Sequence, residues 1–132
     1  MTKYTDLTAR IFLAAIFFMA GIGKIGGYAA TQGYMESQGV PGALLPAVIA
    51  LEIIGPVLLV VGWQVRVAAL ALAGFSVISA FLFHLNFADQ MQSIMFMKNF
   101  AIAGGLLLLV AHGAGELSLD ARAKTRPLMT AH

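Results

Sequence analysis

Apolar residues fill four long stretches of the chain, at 7–25, 43–63, 65–84 and 91–112. A helix rises about 1.5 Å per residue, so about 20 residues cross the hydrocarbon of a bilayer. Each stretch has close to that length, and the connections are short. The longest, 26–42, contains YAATQGYMESQGV and reads as a Gly-rich loop. Trp63-Gln64 and 86–90 read as tight turns. The pattern predicts an all-α integral membrane protein, a single-domain antiparallel four-helix bundle. The first stretch is longer than the apolar region of a secretory leader and no clean small-residue cleavage site follows it, so it reads as a retained span.

Two of the stretches carry a charge well inside. Glu52 interrupts ALLPAVIALEIIGPVLLVVGW, and Lys98 interrupts MQSIMFMKNFAIAGGLLLLV. A charge at that depth is costly unless it is paired or faces a cavity. Counted from the same membrane face, Glu52 lies about 14 Å and Lys98 about 10 Å along their helices. That match, with the long lysine stem, leads to the expectation of a Glu52–Lys98 ion pair. Asn99 sits about 100° around the helix from Lys98. Pro56 removes the helical partner of the Glu52 carbonyl, so a kink at Pro56 and a polar partner for that carbonyl are expected.

Composition agrees with the pattern: 60% of residues are apolar and 11% are Asp, Glu, Lys or Arg, against about a quarter charged in a soluble domain. With no cysteine in the chain, thiol–disulfide relays, thiolate metal sites and iron–sulfur clusters are excluded within it. No basic run with interleaved aromatics suggests nucleic acid.

Four spans place both termini on one side, which collects Lys3, Arg10, Arg66, Arg122, Lys124 and Arg126. The other side has Lys24 at a helix end, with Glu36 and Asp89. The positive-inside rule then puts both termini in the cytoplasm, in a cell (inner) membrane. Arg10 and Arg66 read as snorkelling anchors or as partners of Glu116 or Asp120. Small residues at Ala69, Ala73, Ser76 and Ala80 form one narrow face of the third span, suited to close helix packing inside the bundle or to dimerisation.

His84 closes the third span on the side of Glu52 and reads as an interfacial cap or a neighbour of the polar site. His112 lies at the opposite end of the fourth span, so the two histidines are not matched in depth for haem. No His and carboxylate spacing suggests a metal site.

The chain resembles the DoxX family of small four-span bacterial membrane proteins. The resemblance rests on RIFLAAIFFMAGIGKI, on EIIGPVLLVVGWQVR with Glu52 and Arg66, on Lys98, and on the closing GAGELSLD, in that order and spacing. It implies the four-helix fold and the importance of Glu52, Arg66, Lys98 and Asp120. Because the family is named for a subunit of a thiosulfate:quinone oxidoreductase, it also implies a link to redox complexes.

Three functions stay open. The leading one is a DoxX-like protein that binds a small hydrophobic or quinone-like molecule, or serves as membrane subunit of a redox complex, with Glu52, Lys98, Asn99 and His84 as its polar site. In that reading the chain itself is not an enzyme, its ligand is a quinone or lipid, and its partners are the bilayer, a redox protein or further copies of itself. The second is a small proton-coupled transporter, and the third a structural scaffold. A ligand-sized cavity reaching Glu52, a water path from both sides, or a dry centre would separate them. For the orientation, a reporter fused after His132 should be active only in the cytoplasm; activity only outside would reverse the topology.

Overall fold

The computed structural model describes residues 2–123. In order come α1 (Thr2–Gly26), α2 (Tyr28–Ser37), α3 (Leu45–Val61), α4 (Val65–Phe83) and α5 (Gln90–His112), with a 3-10 turn at Gly42–Leu44 before α3. Four of the helical segments are long and apolar enough to cross a membrane, at Thr2–Gly26, Gly42–Val61, Val65–Phe83 and Gln90–His112. These match the expected spans, with α1 beginning five residues earlier than Leu7.

The connection at 26–42 is a helix, not the expected loop. Thr31, Tyr34 and Met35 fall on one helical face, which turns inward. Two of the glycines that suggested a loop sit where the helix starts and stops. Gly27 is the N-cap residue, and Gly39 takes φ +79° while its N–H and that of Val40 close the last turn onto Glu36 and Met35.

α1 packs on α3, α3 on α4, and α4 on α5. The buried face of α4 is the small-residue stripe: Ala69, Ala73, Ser76 and Ala80 are all buried, together with Leu72. The stripe therefore serves packing within the bundle. Gly55 of α3 accepts Leu72 in the same way, since a Cβ there would lie 3.1 Å from Leu72 Cδ1. Pro56 lies inside a single α3 and is fully buried. The apolar core, which includes Ala14, Leu59, Val65, Leu72 and Leu106, occupies the half of the bundle nearer the termini.

At that end Arg10 is wholly buried, which overturns its reading as a snorkelling anchor. Its guanidinium donates to main-chain carbonyls rather than pairing with Glu116 or Asp120. Nη1 reaches Leu59 O at 2.8 Å and Val60 O at 3.2 Å, and Nη2 bonds to Leu117 O. Leu59 and Val60 belong to the last turn of α3, whose carbonyls have no helical donor and carry the negative end of the helix dipole. A planar fork of donors suits that task.

Asp120 likewise serves the backbone, as a cap. Its carboxylate accepts from the N–H of Gln64 at 2.8 Å and of Val65 at 3.0 Å, at the start of α4, and its own N–H donates to Gly62 O at 2.8 Å. This capture holds Gln64 at φ 52°, a conformation unusual for a residue with a side chain. Gly62 is required beside it: φ is +78°, and an added Cβ would strike Ser118 and come 2.7 Å from Arg10 Nη1. Arg66 and Glu116 are exposed.

These contacts generate a ranking. Arg10→Met strands three carbonyls, each worth about 1–3 kcal/mol if left unpaired. Asp120→Ala removes one cap, worth about 1 kcal/mol. Thermal unfolding in detergent should therefore show a larger fall for Arg10→Met than for Asp120→Ala, with Arg10→Lys between wild type and Arg10→Met. An unchanged Arg10→Met would mean the fork does not hold the ends together.

Candidate functional site: a polar cavity under α2

Glu52 is buried on α3, but its partner is Lys24, not Lys98. Lys24 Nζ lies 2.7 Å from Glu52 Oε1, with the two side chains 28% and 4% exposed. The contact is electrostatic more than a well-directed hydrogen bond. The reason is α1. Arg10, Ala14, Phe17 and Gly21 form its buried stripe, and the same 4-3-4 spacing brings Lys24 next onto that face. Gly21 lets α1 come close, since a Cβ there would lie 2.8 Å from Ile53 Cδ1 and 3.2 Å from Glu52 Cβ. Lys98 is exposed and does not line the cavity. The expectation from depth alone ignored direction: Asn99, not Lys98, is the residue α5 turns inward.

The pair opens into a cavity of about 320 Å³ in the half of the bundle away from the termini. All five helices contribute. Phe17, Ala20 and Lys24 come from α1, Thr31, Tyr34 and Met35 from α2, and Val48 and Glu52 from α3. α4 adds Phe75, Ser76, Ser79 and Phe83, followed by His84, while α5 adds Met95, Asn99 and Ile102. α2 lies across this end, and Tyr34 stacks on Phe83 with ring centroids 5.5 Å apart. Gln32 donates to Gly42 O at 3.3 Å, tying α2 to the start of α3.

Of the residues expected at the site, Glu52, Asn99 and His84 meet at this cavity and Lys98 does not line it. His84 Nδ1 is 2.9 Å from Gln92 Oε1, which fixes its ring. Ser76 Oγ donates to Leu72 O at 2.9 Å, a bond within its own helix. Lys24, Thr31, Tyr34 and Ser79 were missed. The α1 spacing could have found Lys24, while nothing short of recognising α2 as a helix could have placed Thr31 and Tyr34. Chemically, the cavity has apolar and aromatic walls, one ion pair, and hydroxyl, amide and imidazole groups. That is the make-up of a site for a small, mostly apolar molecule with an oxygen-bearing end.

The DoxX family model matches residues 5–85, which carry α1 to α4 and most of the cavity. The chain belongs to the DoxX family. A relative, Inner membrane protein YqjF of Escherichia coli (strain K12), is 53% identical over 123 residues, covering 91% of this chain and 95% of the relative. No solved structure matches the chain. With its four spans, this DoxX protein is a multi-pass inner-membrane protein.

The pairing can be checked by a double-mutant cycle on detergent-solubilised protein. Glu52→Gln alone leaves the Lys24 ammonium uncompensated. The loss should be about 1–3 kcal/mol, below the ~3–5 of a fully buried pair because Lys24 is partly exposed. Adding Lys24→Met should restore much of it, whereas adding Lys98→Met should be additive. Coupling to Lys98 instead of Lys24 would overturn the geometry.

Proposed function

We propose that this DoxX protein binds a small lipophilic molecule with an oxygen-bearing head in the cavity under α2. The observation that carries the reading is a ligand-sized cavity reaching the Lys24–Glu52 pair. An ion pair used only for packing would be enclosed by side chains, whereas this one faces open volume. Quinones and other single-headed lipids fit the size and the chemistry, and a membrane subunit that holds such a molecule for a redox partner is consistent with the family name's origin.

The cavity geometry favours binding over proton-coupled transport. Towards the termini, Leu59, Leu72 and Leu106 are fully buried beneath the cavity, so a water path through the bundle would have to part the core. The chain acts by holding a molecule, and its partner supplies any chemistry. Both termini are cytoplasmic in this reading, with Lys3, Arg66 and Arg122 at that end of the bundle and the cavity near the outer face. Lys124 and Arg126, also counted for that side, lie outside the described residues.

Mass spectrometry of lipid extracts tests the reading. Wild-type protein should carry a small molecule that is depleted from the Lys24→Met/Glu52→Gln double variant, which keeps the charge balance and the fold. Identical extracts from the two proteins would refute binding at the pair.

A further inference from the structure

Most helix seams around the cavity are closed. Gly21 seats α1 on α3, Gly55 seats Leu72 of α4 on α3, and Tyr34 stacks on Phe83 across the top. The α1–α5 seam differs. Nearer the termini the two helices touch where Gly105 meets Leu13, since a Cβ on Gly105 would lie 3.3 Å from Leu13 Cδ2. The helices are antiparallel, so the register continues with Ile16 opposite Ile102, Ala20 opposite Asn99 and Lys24 opposite Met95, and all six line the cavity. Yet the buried residues of α5, Ala103, Leu106 and Leu109, all belong to its C-terminal half. Ile16 and Met95 are 51% and 38% exposed although they line the cavity. Above Leu13, therefore, α1 and α5 part and leave a side opening at bilayer depth.

Lys98 stands on the rim of that opening. It precedes Gly105 by seven residues, about two helical turns, and so shares the α1-facing edge of α5. It is exposed, and no carboxylate of the described residues lies within ion-pair distance of it. Helical side chains lean toward the N-terminus of their own helix. Lys98 thus leans toward the level of Met95, and Lys24, on the antiparallel neighbour, toward the level of Ala20. Lys98 sits on the α5 edge of the opening, and Lys24, paired with Glu52, on its α1 side. One positive charge remains unbalanced at a depth where hydrocarbon penalises it.

Resting on the ligand-binding reading above, we propose that the ligand is an oxyanion-headed amphiphile that enters from the bilayer through the α1–α5 opening. Its head supplies the missing negative charge between Lys98 and Lys24. Its acyl tail lies in the opening against Ile16 and Met95 and continues into the lipid.

Carboxylate and phosphate heads share this chemistry, and three probes separate them from a neutral one. Wild-type protein in phosphatidylcholine nanodiscs is titrated with oleate, phosphatidylglycerol or oleyl alcohol, with bound copies counted by native mass spectrometry. One oleate or one phosphatidylglycerol per chain is expected, the binding arm naming the head, with oleyl alcohol weaker by on the order of tenfold. Lys98→Gln should weaken binding of the anion by about tenfold and Lys98→Arg should preserve it. Ile16→Trp combined with Met95→Trp should abolish binding, while Met97→Trp, on an outward-facing residue of α5, should not. Thermal unfolding confirms that each variant is folded. Equal binding of oleate and oleyl alcohol, or full binding by folded Lys98→Gln, would overturn the proposal. A copurified neutral lipophile displaced by neither anion would overturn it while leaving the cavity's binding role intact. Absence of any bound small molecule or probe would remove both.

Discussion

A buried cation must end on an acceptor, and in this bundle both inward-facing cations of α1 end on α3. Arg10 and Lys24 lie on one stripe of α1, 14 residues apart, or about 21 Å along a helix. Arg10 takes the terminal carbonyls of α3, and Lys24 takes Glu52. Between them, Ala14, Phe17 and Gly21 are buried against the rest of the bundle. The two polar contacts fix the register of α1 on α3, because a shift by one residue would swing both cations toward lipid. Apolar packing alone would not discriminate so sharply, since lipid tails are as apolar as the core.

With α1 fixed, the two halves of the bundle divide the work. Near the termini the small face of α4 draws its neighbours together over a closed apolar core, and the ends of α3 and α4 are capped by Arg10 and Asp120. In the other half, α5 turns Met95, Asn99 and Ile102 toward space instead of packing them. α2 covers that space. The dense half can support the hollow one because every helix of the hollow half, α2 excepted, continues into the packed half.

How much of this was legible in the sequence depends on which physical signal each residue carried. The spans were plain, because length and hydropathy are strong signals in hydrocarbon. Glu52 was plain for the same reason, as a charge with no cheap alternative to a partner. Its partner was misjudged because depth along a helix was weighed without rotation about it. Lys98 has the right depth and the wrong azimuth; Lys24 has both, and the Arg10-Ala14-Phe17-Gly21 spacing pointed to it. Arg10 was read as a snorkelling anchor or a partner of Glu116 or Asp120, and Asp120 as an ion-pair acceptor, yet each acts on backbone. Which carbonyl or N–H a distant side chain will satisfy depends on how helix ends meet in space, and no spacing along one chain encodes that. α2 was missed because Gly27, Gly33 and Gly39 look like loop residues, although two of them mark the helix boundaries.

The contact between Arg10 Nη2 and Leu117 O has a consequence for how the protein is made. Arg10 leaves the ribosome among the first residues, while Leu117 follows only after the fourth span has been synthesised. Until then the α1–α3 pair enters the membrane with one arm of its guanidinium unsatisfied, and the turn before α4 lacks Asp120. Docking of the segment after α5 beneath the α3–α4 turn can therefore come only after the last span has been made. A chain truncated just before Leu117 would contain every span and still lack the piece that closes it.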